Sequence, residues 1–179
     1  GLMFRPEIKV LDCSIRDGGL INRWQFSDEF VRETYRALSL AGVDYIELGY
    51  KASKDQFDPK VYGKWRFCDD DDVRRVIDGI ESNSKLACMV DIGRVEEKDI
   101  VAQSNSPFHM IRVACYVKDI TKGVALCEMV MDKGYETTLN IMAVSTNTER
   151  EIDEGLVDLS KTSVPVVYVV DSFGAMYSE

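Results

Sequence analysis

The chain has 179 residues, of which 45% are hydrophobic and 30% are charged, and its net charge is −9. This composition is typical of one folded domain, and it excludes a disordered chain and disfavours a nucleic-acid partner. No apolar run reaches the roughly 18 residues of a membrane span, and the N-terminus lacks a signal-peptide pattern, so no membrane partner is expected.

Strand-like and helix-like segments alternate along the chain. The predicted strands cover residues 8–15, 44–50, 85–93, 110–117, 137–145 and 164–176. The predicted helices cover residues 27–42, 69–80, 96–103, 120–134 and 147–162. Ser27 and Gly42 are suitable residues for the start and end of the first helix. Strands that are apolar on both faces and alternate with helices indicate a parallel α/β fold, either a doubly wound sheet or a (β/α)8 barrel.

The five cysteines include no CxxC pair, and Cys13, Cys88 and Cys115 lie in apolar runs. We interpret them as reduced core residues, which favours a cytoplasmic protein. A structural zinc site is disfavoured because close ligand pairs are missing and the chain has one histidine, His109. His109 precedes its strand, so we expect a structural role for it. The aspartates of residues 69–72 are interpreted as the N-terminal turn of a helix, where the helix dipole favours acids.

Four predicted strands end in a carboxylate that is followed by glycine or a small polar residue. These carboxylates are Asp17, Glu47, Asp91 and Asp171. The carboxyl ends of the strands carry the active site in α/β barrels and the ligand crevice in doubly wound sheets. The sequence therefore predicts a polar mouth over an apolar fold. The pair Arg16 and Asp17 could either close a turn or bind a ligand.

The sequence lacks the common nucleotide-binding and hydrolase motifs. The glycines after Asp17 form neither a GxGxxG motif nor a Walker loop, and the chain has no GxSxG elbow. A polar connection over residues 51–68 is longer than usual, which is typical of a lid or a binding loop.

The stretch "DCSIRDG" (12–18) resembles the D-x-x-x-R-D-G signature of the metal-dependent carbon–carbon lyase barrels. This superfamily includes hydroxymethylglutaryl-CoA lyase, isopropylmalate and homocitrate synthases, and 4-hydroxy-2-oxovalerate aldolase. The context "LDCSIRDGGLINRWQFS" is most similar to the aldolase branch, and "GVDYIELGY", "IRVACYVKD" and "VVDSFGAM" are similar to the second, fourth and sixth strand motifs. The resemblance implies a TIM-barrel type (β/α)8 fold, truncated after about six strands.

The resemblance also implies roles for individual residues. Asp17 would be a ligand of a divalent cation, Mg²⁺ or Mn²⁺, and Arg16 would be catalytic, stabilising an enolate oxygen of the bound substrate. Glu47, Asp171 and Ser172 would bind the substrate, a 2-oxo acid or an acyl-CoA. A metal and a guanidinium can both hold the negative charge that develops as the carbon–carbon bond breaks.

Two departures from the family pattern matter. Leu20 stands where the family often has Gln or His, so a general base from that position is missing. The H-x-H metal ligands of a seventh strand are also missing, and we expect residues 1–179 to be the N-terminal part of a single catalytic domain, inactive alone.

Three hypotheses remain open. The leading one is a metal-dependent aldolase or lyase that acts on a bond next to a ketone or thioester carbonyl. The second is a non-catalytic partial barrel that binds a partner chain, and the third is a metal-free barrel that uses its carboxylates for acid–base catalysis. Formation of a homo-oligomer is left open.

Overall fold

The computed structural model describes residues 9–144, 159 and 161–171. In these residues six parallel strands form one sheet in the order β1-β2-β3-β4-β5-β6. The strands are β1 Leu11–Asp12, β2 Tyr45–Tyr50, β3 Lys85–Asp91, β4 Met110–Tyr116, β5 Glu136–Val144 and β6 Val166–Asp171. The α-helices are α1 Ser14–Asn22, α2 Asp28–Ala41, α3 Asp70–Ile77 and α4 Ile120–Asp132. The prediction of a partial TIM barrel is confirmed.

Helix α2 has the ends that the sequence predicts. Its cap Ser27 accepts a hydrogen bond at Oγ from the backbone N–H of Phe30 at 3.1 Å. Gly42 follows the helix with a φ of 78°, a left-handed conformation that glycine adopts without strain. Val31 and Tyr35 are buried on the inner face of the helix, so α2 packs against the sheet.

The apolar core lies between the sheet and its helices. Side chains alternate between the two faces of a strand, so Ile46 and Leu48 share one face of β2 while Glu47 points to the other. Ile46 and Leu48 belong to the same buried cluster as Val31 of α2 and Val73 of α3. The face with Glu47 is therefore the inner face of the curled sheet, away from these helices.

A bulge changes this alternation at the end of β2. Glu47 pairs with Ala87 and Tyr50 pairs with Met89, so three steps along β2 correspond to two along β3. An extra residue of this kind turns the following side chains. Tyr50 therefore lies on the same side of the sheet as Glu47.

The predicted strand over residues 8–15 is wrong after residue 12. Asp12 accepts a hydrogen bond at Oδ1 from the backbone N–H of Ser14 at 3.0 Å and another at Oδ2 from the Ser14 hydroxyl at 3.1 Å. These bonds satisfy groups at the helix start, so the chain leaves the sheet at once and enters α1. Arg16 and Asp17 consequently lie on α1 rather than at a strand end.

The glycines after Asp17 lie inside α1 because of close packing. A Cβ atom on Gly19 would lie 1.9 Å from Cδ1 of Trp24. The indole of Trp24 also donates a hydrogen bond from Nε1 to the carbonyl of Arg16 at 2.9 Å. Gly19 thus makes room for the ring that fixes the backbone at Arg16.

Two further segments differ from the sequence prediction or lie outside the described residues. The helix predicted over 96–103 is wrong, because Glu97–Asp99 and Gln103–Asn105 form two separate 3-10 turns. Most of the predicted helix 147–162 and the segment after Asp171 lie outside the described residues. All five cysteines are free. Among the described residues no helix combines the length and the apolar character needed to cross a membrane.

Candidate active site

A fully buried carboxylate, Glu47, lies on the inner face at β2. Its side chain has no exposed surface, and Oε2 accepts a hydrogen bond from Nη1 of Arg112 at 2.9 Å. Oε1 is in direct contact with Nε of Arg16. A buried carboxylate is costly unless it is paired, and the two guanidinium groups supply that compensation. Glu47 thereby ties α1, β2 and β4 together.

Arg16 is held by three groups. Besides Glu47, it contacts the Tyr50 hydroxyl from Nη1 at 3.2 Å and the Asp17 carboxylate from Nη2 at 3.0 Å. Burial alone would lower the pKa of Arg16, but the charge of Glu47 and the Tyr50 hydroxyl raise the pKa above its ordinary value. The guanidinium is therefore a fixed, permanently charged group on the inner face.

Arg112 extends the network to β5. Its Nη2 donates to Oδ1 of Asn140 at 3.1 Å, and Nδ2 of Asn140 donates to the carbonyl of Val113 at 3.1 Å. Sequence reasoning did not single out Arg112 or Asn140. A signal was present for Arg112, since it is the only charged residue in the apolar strand β4. Strand β5 also carries Glu136, Thr137 and Thr138, so its sequence did not mark out Asn140.

A cavity of about 270 Å³ opens at the carboxyl ends of the middle strands. Its walls come from the ends of β2 to β5 and from the segments that follow β3 and β4. They are Tyr50, Asp91, Ile92, Arg94, Ala114, Cys115, Tyr116, Asp119 and Met142. Tyr50 belongs to this wall and its hydroxyl accepts a hydrogen bond from Arg16, so the fixed guanidinium lies next to the cavity.

Another arginine, Arg66, lies beside the cavity wall and is only 4% exposed. Its guanidinium stacks on the rings of Tyr50 and Phe57, with the central carbon 4.4 Å and 4.3 Å from the ring centres. Nη2 lies 3.6 Å from Oδ2 of Asp91. Burial raises the pKa of Asp91, and the positive charges of Arg66 and Arg94 oppose this shift.

Asp17 lies at the edge of this network. Its side chain is 57% exposed, and besides the contact with Arg16 it accepts a hydrogen bond at Oδ2 from Sγ of Cys13 at 3.4 Å. In the described part of the chain no group of three His, Cys, Asp or Glu side chains is arranged to hold a metal ion. The described residues therefore do not by themselves form the divalent-cation site that the resemblance implies.

The remaining predicted residues lie at different ends of the sheet. Asp171 is the last residue of β6 and pairs with Val144, which places it at the carboxyl edge. Ser172 lies outside the described residues. His109 directly precedes β4, and its Nδ1 accepts a hydrogen bond from the backbone N–H of Leu86 at 3.3 Å. This bond joins the amino ends of β3 and β4, the structural role expected for His109.

The sequence is similar to several aldolases, although no protein-family model matches it. It is 27% identical to 4-hydroxy-2-oxovalerate aldolase 6 of Rhodococcus jostii over 174 residues, which covers 96% of this chain and 48% of the relative. It is 29% identical to 4-hydroxy-2-oxovalerate aldolase 4 of Rhodococcus opacus, with 96% and 49% covered. The chain thus spans about half the length of the curated relatives it matches.

Two solved structures share the fold. The N-terminal domain of a candidate aldolase from Bacteroides vulgatus matches with a TM-score of 0.63 and 23% identity, covering 90% of this chain and 63% of that one. An HMG-CoA lyase from Acinetobacter baumannii, solved with coenzyme A and 3-methylmalate, matches with a TM-score of 0.53 and 17% identity, covering 88% and 55%. At these identities the likeness concerns the fold.

Proposed function

We propose that this chain, which belongs to the TIM-barrel aldolase superfamily that includes HMG-CoA lyase, is the N-terminal part of one catalytic domain of an aldolase. The reaction is the cleavage or formation of a carbon–carbon bond next to the carbonyl of a 2-oxo acid or a thioester. The names of the relatives favour the 2-oxo acid, with a 4-hydroxy-2-oxo acid as the substrate class. We also propose that the protein works in the cytoplasm.

The observation that carries this proposal is the fixed guanidinium of Arg16. Cleaving the bond leaves an enolate, and its negative charge has to be stabilised as it develops. A cation that is already positioned does this without reorganising during the reaction. Glu47 and Tyr50 hold Arg16 in one position, and Tyr50 belongs to the wall of the cavity.

The other predicted site residues take their proposed roles from this arrangement. Both oxygens of Glu47 contact arginines, so Glu47 acts as a positioning residue for Arg16. Asp171 and Ser172 are proposed to contact the substrate at the carboxyl edge of the sheet. Asp17 is proposed to supply one ligand to Mg²⁺ or Mn²⁺ in the complete protein, because its carboxylate is largely exposed. A bound divalent cation would add Lewis-acid stabilisation of the enolate.

The proposal is tested with Arg16→Ala in the complete protein. Formation of the 2-oxo acid product from a 4-hydroxy-2-oxo acid is followed with excess Mg²⁺ or Mn²⁺. Losing a donor that stabilises developing charge costs about 100- to 1,000-fold in rate. Arg36→Ala is the matched control, because Arg36 lies on the outer helix α2 and its side chain is 47% exposed. Equal rates for Arg16→Ala and Arg36→Ala would refute the proposed role of Arg16.

A second candidate function is a binding or assembly module without catalysis. Large apolar side chains are exposed near both end strands of the described sheet. Leu20 and Ile21 of α1 are 72% and 93% exposed, and Val167 of β6 is 40% exposed. Exposed apolar surface of this kind marks an interface. A complete protein that binds a partner chain but turns over no 4-hydroxy-2-oxo acid or thioester would favour this function.

A further inference from the structure

An aldol reaction needs a group that moves a proton, and Leu20 cannot supply it. Leu20 is apolar and 72% exposed on α1. The wall of the cavity offers five side chains that could act as an acid or a base, and they are Tyr50, Asp91, Cys115, Tyr116 and Asp119. Burial raises the pKa of Cys115 to about 11, so its thiol stays protonated near neutral pH and is not a base.

The surroundings of the other four groups differ. Tyr50 already binds Arg16 and has its pKa raised by burial, so it stays protonated near neutral pH. Tyr116 is 51% exposed, and Asp119 lies beyond the end of β4 in a 3-10 turn. Asp91 is the last residue of β3, and its backbone pairs with Ala114 of β4. Asp91 is therefore the carboxylate that the sheet itself holds in the cavity wall.

Arg66 lies against the Asp91 side chain as a neighbouring cation. The guanidinium is clamped by aromatic rings and lies 3.6 Å from Oδ2, while 27% of the carboxylate side chain stays exposed. A 3.6 Å separation is longer than a good charged hydrogen bond, so the pair leaves acceptor capacity on the carboxylate. The carboxylate thus lies beside a fixed cation and keeps an accessible side in the cavity wall.

From this geometry we infer that Asp91 is the catalytic proton-transfer residue of the cavity. The inference rests on the proposed aldolase function and adds a residue to it. Arg66 acts as a positioning residue for Asp91, because the rings of Tyr50 and Phe57 hold its guanidinium in place.

The proton transfer balances without any further reactant. During cleavage the Asp91 carboxylate accepts the proton of the C4 hydroxyl of a 4-hydroxy-2-oxo acid. The C4–O bond becomes a carbonyl, the C3–C4 bond breaks, and its electron pair forms the enolate that Arg16 stabilises. Protonated Asp91 then returns the proton to C3, which yields the 2-oxo acid and an aldehyde and restores the carboxylate.

The inference predicts an acidic limb in the pH profile. Charged and titratable groups face Asp91 from α1, the end of β2, the 51–68 connection, the turn after β3 and the end of β4; they are Arg16, Tyr50, Arg66, Arg94, Tyr116 and Asp119. Burial raises the pKa of Asp91 above the ordinary value of about 4. Because cleavage uses the deprotonated form, activity should fall as the pH falls through this raised pKa.

The test compares Asp91→Asn with the wild type and with Asp72→Asn in the complete protein. Asp72 is a matched control, because it also pairs with an arginine, Arg75 at 2.9 Å, and its side chain is 20% exposed on α3. Asp91→Asn should lower kcat about 100-fold or more, with KM little changed and the acidic limb lost. Asp72→Asn should keep the wild-type rate and limb.

The outcomes separate this inference from the proposed function. A wild type that turns over neither a 4-hydroxy-2-oxo acid nor a thioester overturns both. An active wild type together with an Asp91→Asn variant of equal kcat and equal pH profile overturns the assignment of Asp91 alone. Circular dichroism checks that Asp91→Asn folds. If it does not, Asp91→Glu decides: it keeps a carboxylate in a changed position, so a shifted acidic limb supports the inference, and an acidic limb and kcat both identical to those of the wild type overturn it.

Discussion

Replacing Glu47 with glutamine tests the charge network on the inner face. Glu47 has no exposed surface and contacts Arg16 and Arg112, so Glu47→Gln leaves two partly buried cations without this carboxylate. Breaking a buried ion pair by removing one partner costs about 3–5 kcal/mol. With a urea m-value of about 2–3 kcal/mol/M, the unfolding midpoint should fall by about 1–2.5 M.

Urea titration followed by circular dichroism measures this midpoint. Glu136→Gln is the matched control, because Glu136 also pairs with two groups, Lys85 and Tyr45, but its side chain is 43% exposed. An exposed pair contributes about 0–1 kcal/mol, so the control midpoint should move little. Equal midpoints for Glu47→Gln and the wild type would refute the interpretation of Glu47 as the anchor of both arginines.

Three further predictions concern packing, cysteine reactivity and metal binding. Gly49→Ala should leave the protein largely insoluble, because a Cβ atom there would lie 2.0 Å from the carbonyl oxygen of Trp65. In the control Gly42→Ala the new Cβ meets no atom within 4 Å, so this variant should stay soluble and lose only about 1 kcal/mol through backbone strain. Solubility and thermal unfolding measure the two effects. Burial raises the pKa of Cys88 to about 12, so its thiol should stay unmodified by iodoacetamide at pH 8 until the protein unfolds; mass spectrometry showing rapid native modification would contradict this. The 179-residue chain should bind Mg²⁺ or Mn²⁺ weakly in calorimetry, because the described residues place no group of further metal ligands around Asp17. A micromolar affinity that Asp17→Asn abolishes would contradict this.

Periodicity and capping residues were sufficient to predict most of the sheet. Ser27 and Gly42 mark the ends of α2 by their own hydrogen-bonding and conformational preferences, so this helix could be located from sequence. The start of α1 could not, because the hydrogen bonds of Asp12 to Ser14 redirect a chain that continues to look strand-like through Ile15. Here a local side-chain contact outweighs the apolar pattern.

The candidate site was also predictable only in part, because the sequence shows the carboxylates but not the distant residues that contact them. Strand-end carboxylates pointed to Glu47 and Asp91, and their place on one sheet follows from the topology. The partners Arg66 and Arg112 come from distant segments, and only the folded sheet brings them to these carboxylates. The bulge that turns Tyr50 toward Arg16 had a signal in Gly49, a single glycine within the strand, but the glycine alone does not say which way the next side chain points.

Deuterium exchange into pyruvate tests the central claim most directly, because it isolates enolate formation from the aldehyde half of the reaction. The complete protein is incubated with pyruvate and Mn²⁺ or Mg²⁺ in D₂O, and proton NMR follows the methyl signal. Wild-type protein should exchange the C3 protons, and Arg16→Ala should exchange them about 100- to 1,000-fold more slowly. No exchange by the wild type, or equal exchange by both proteins, would contradict an enolate-stabilising site at Arg16.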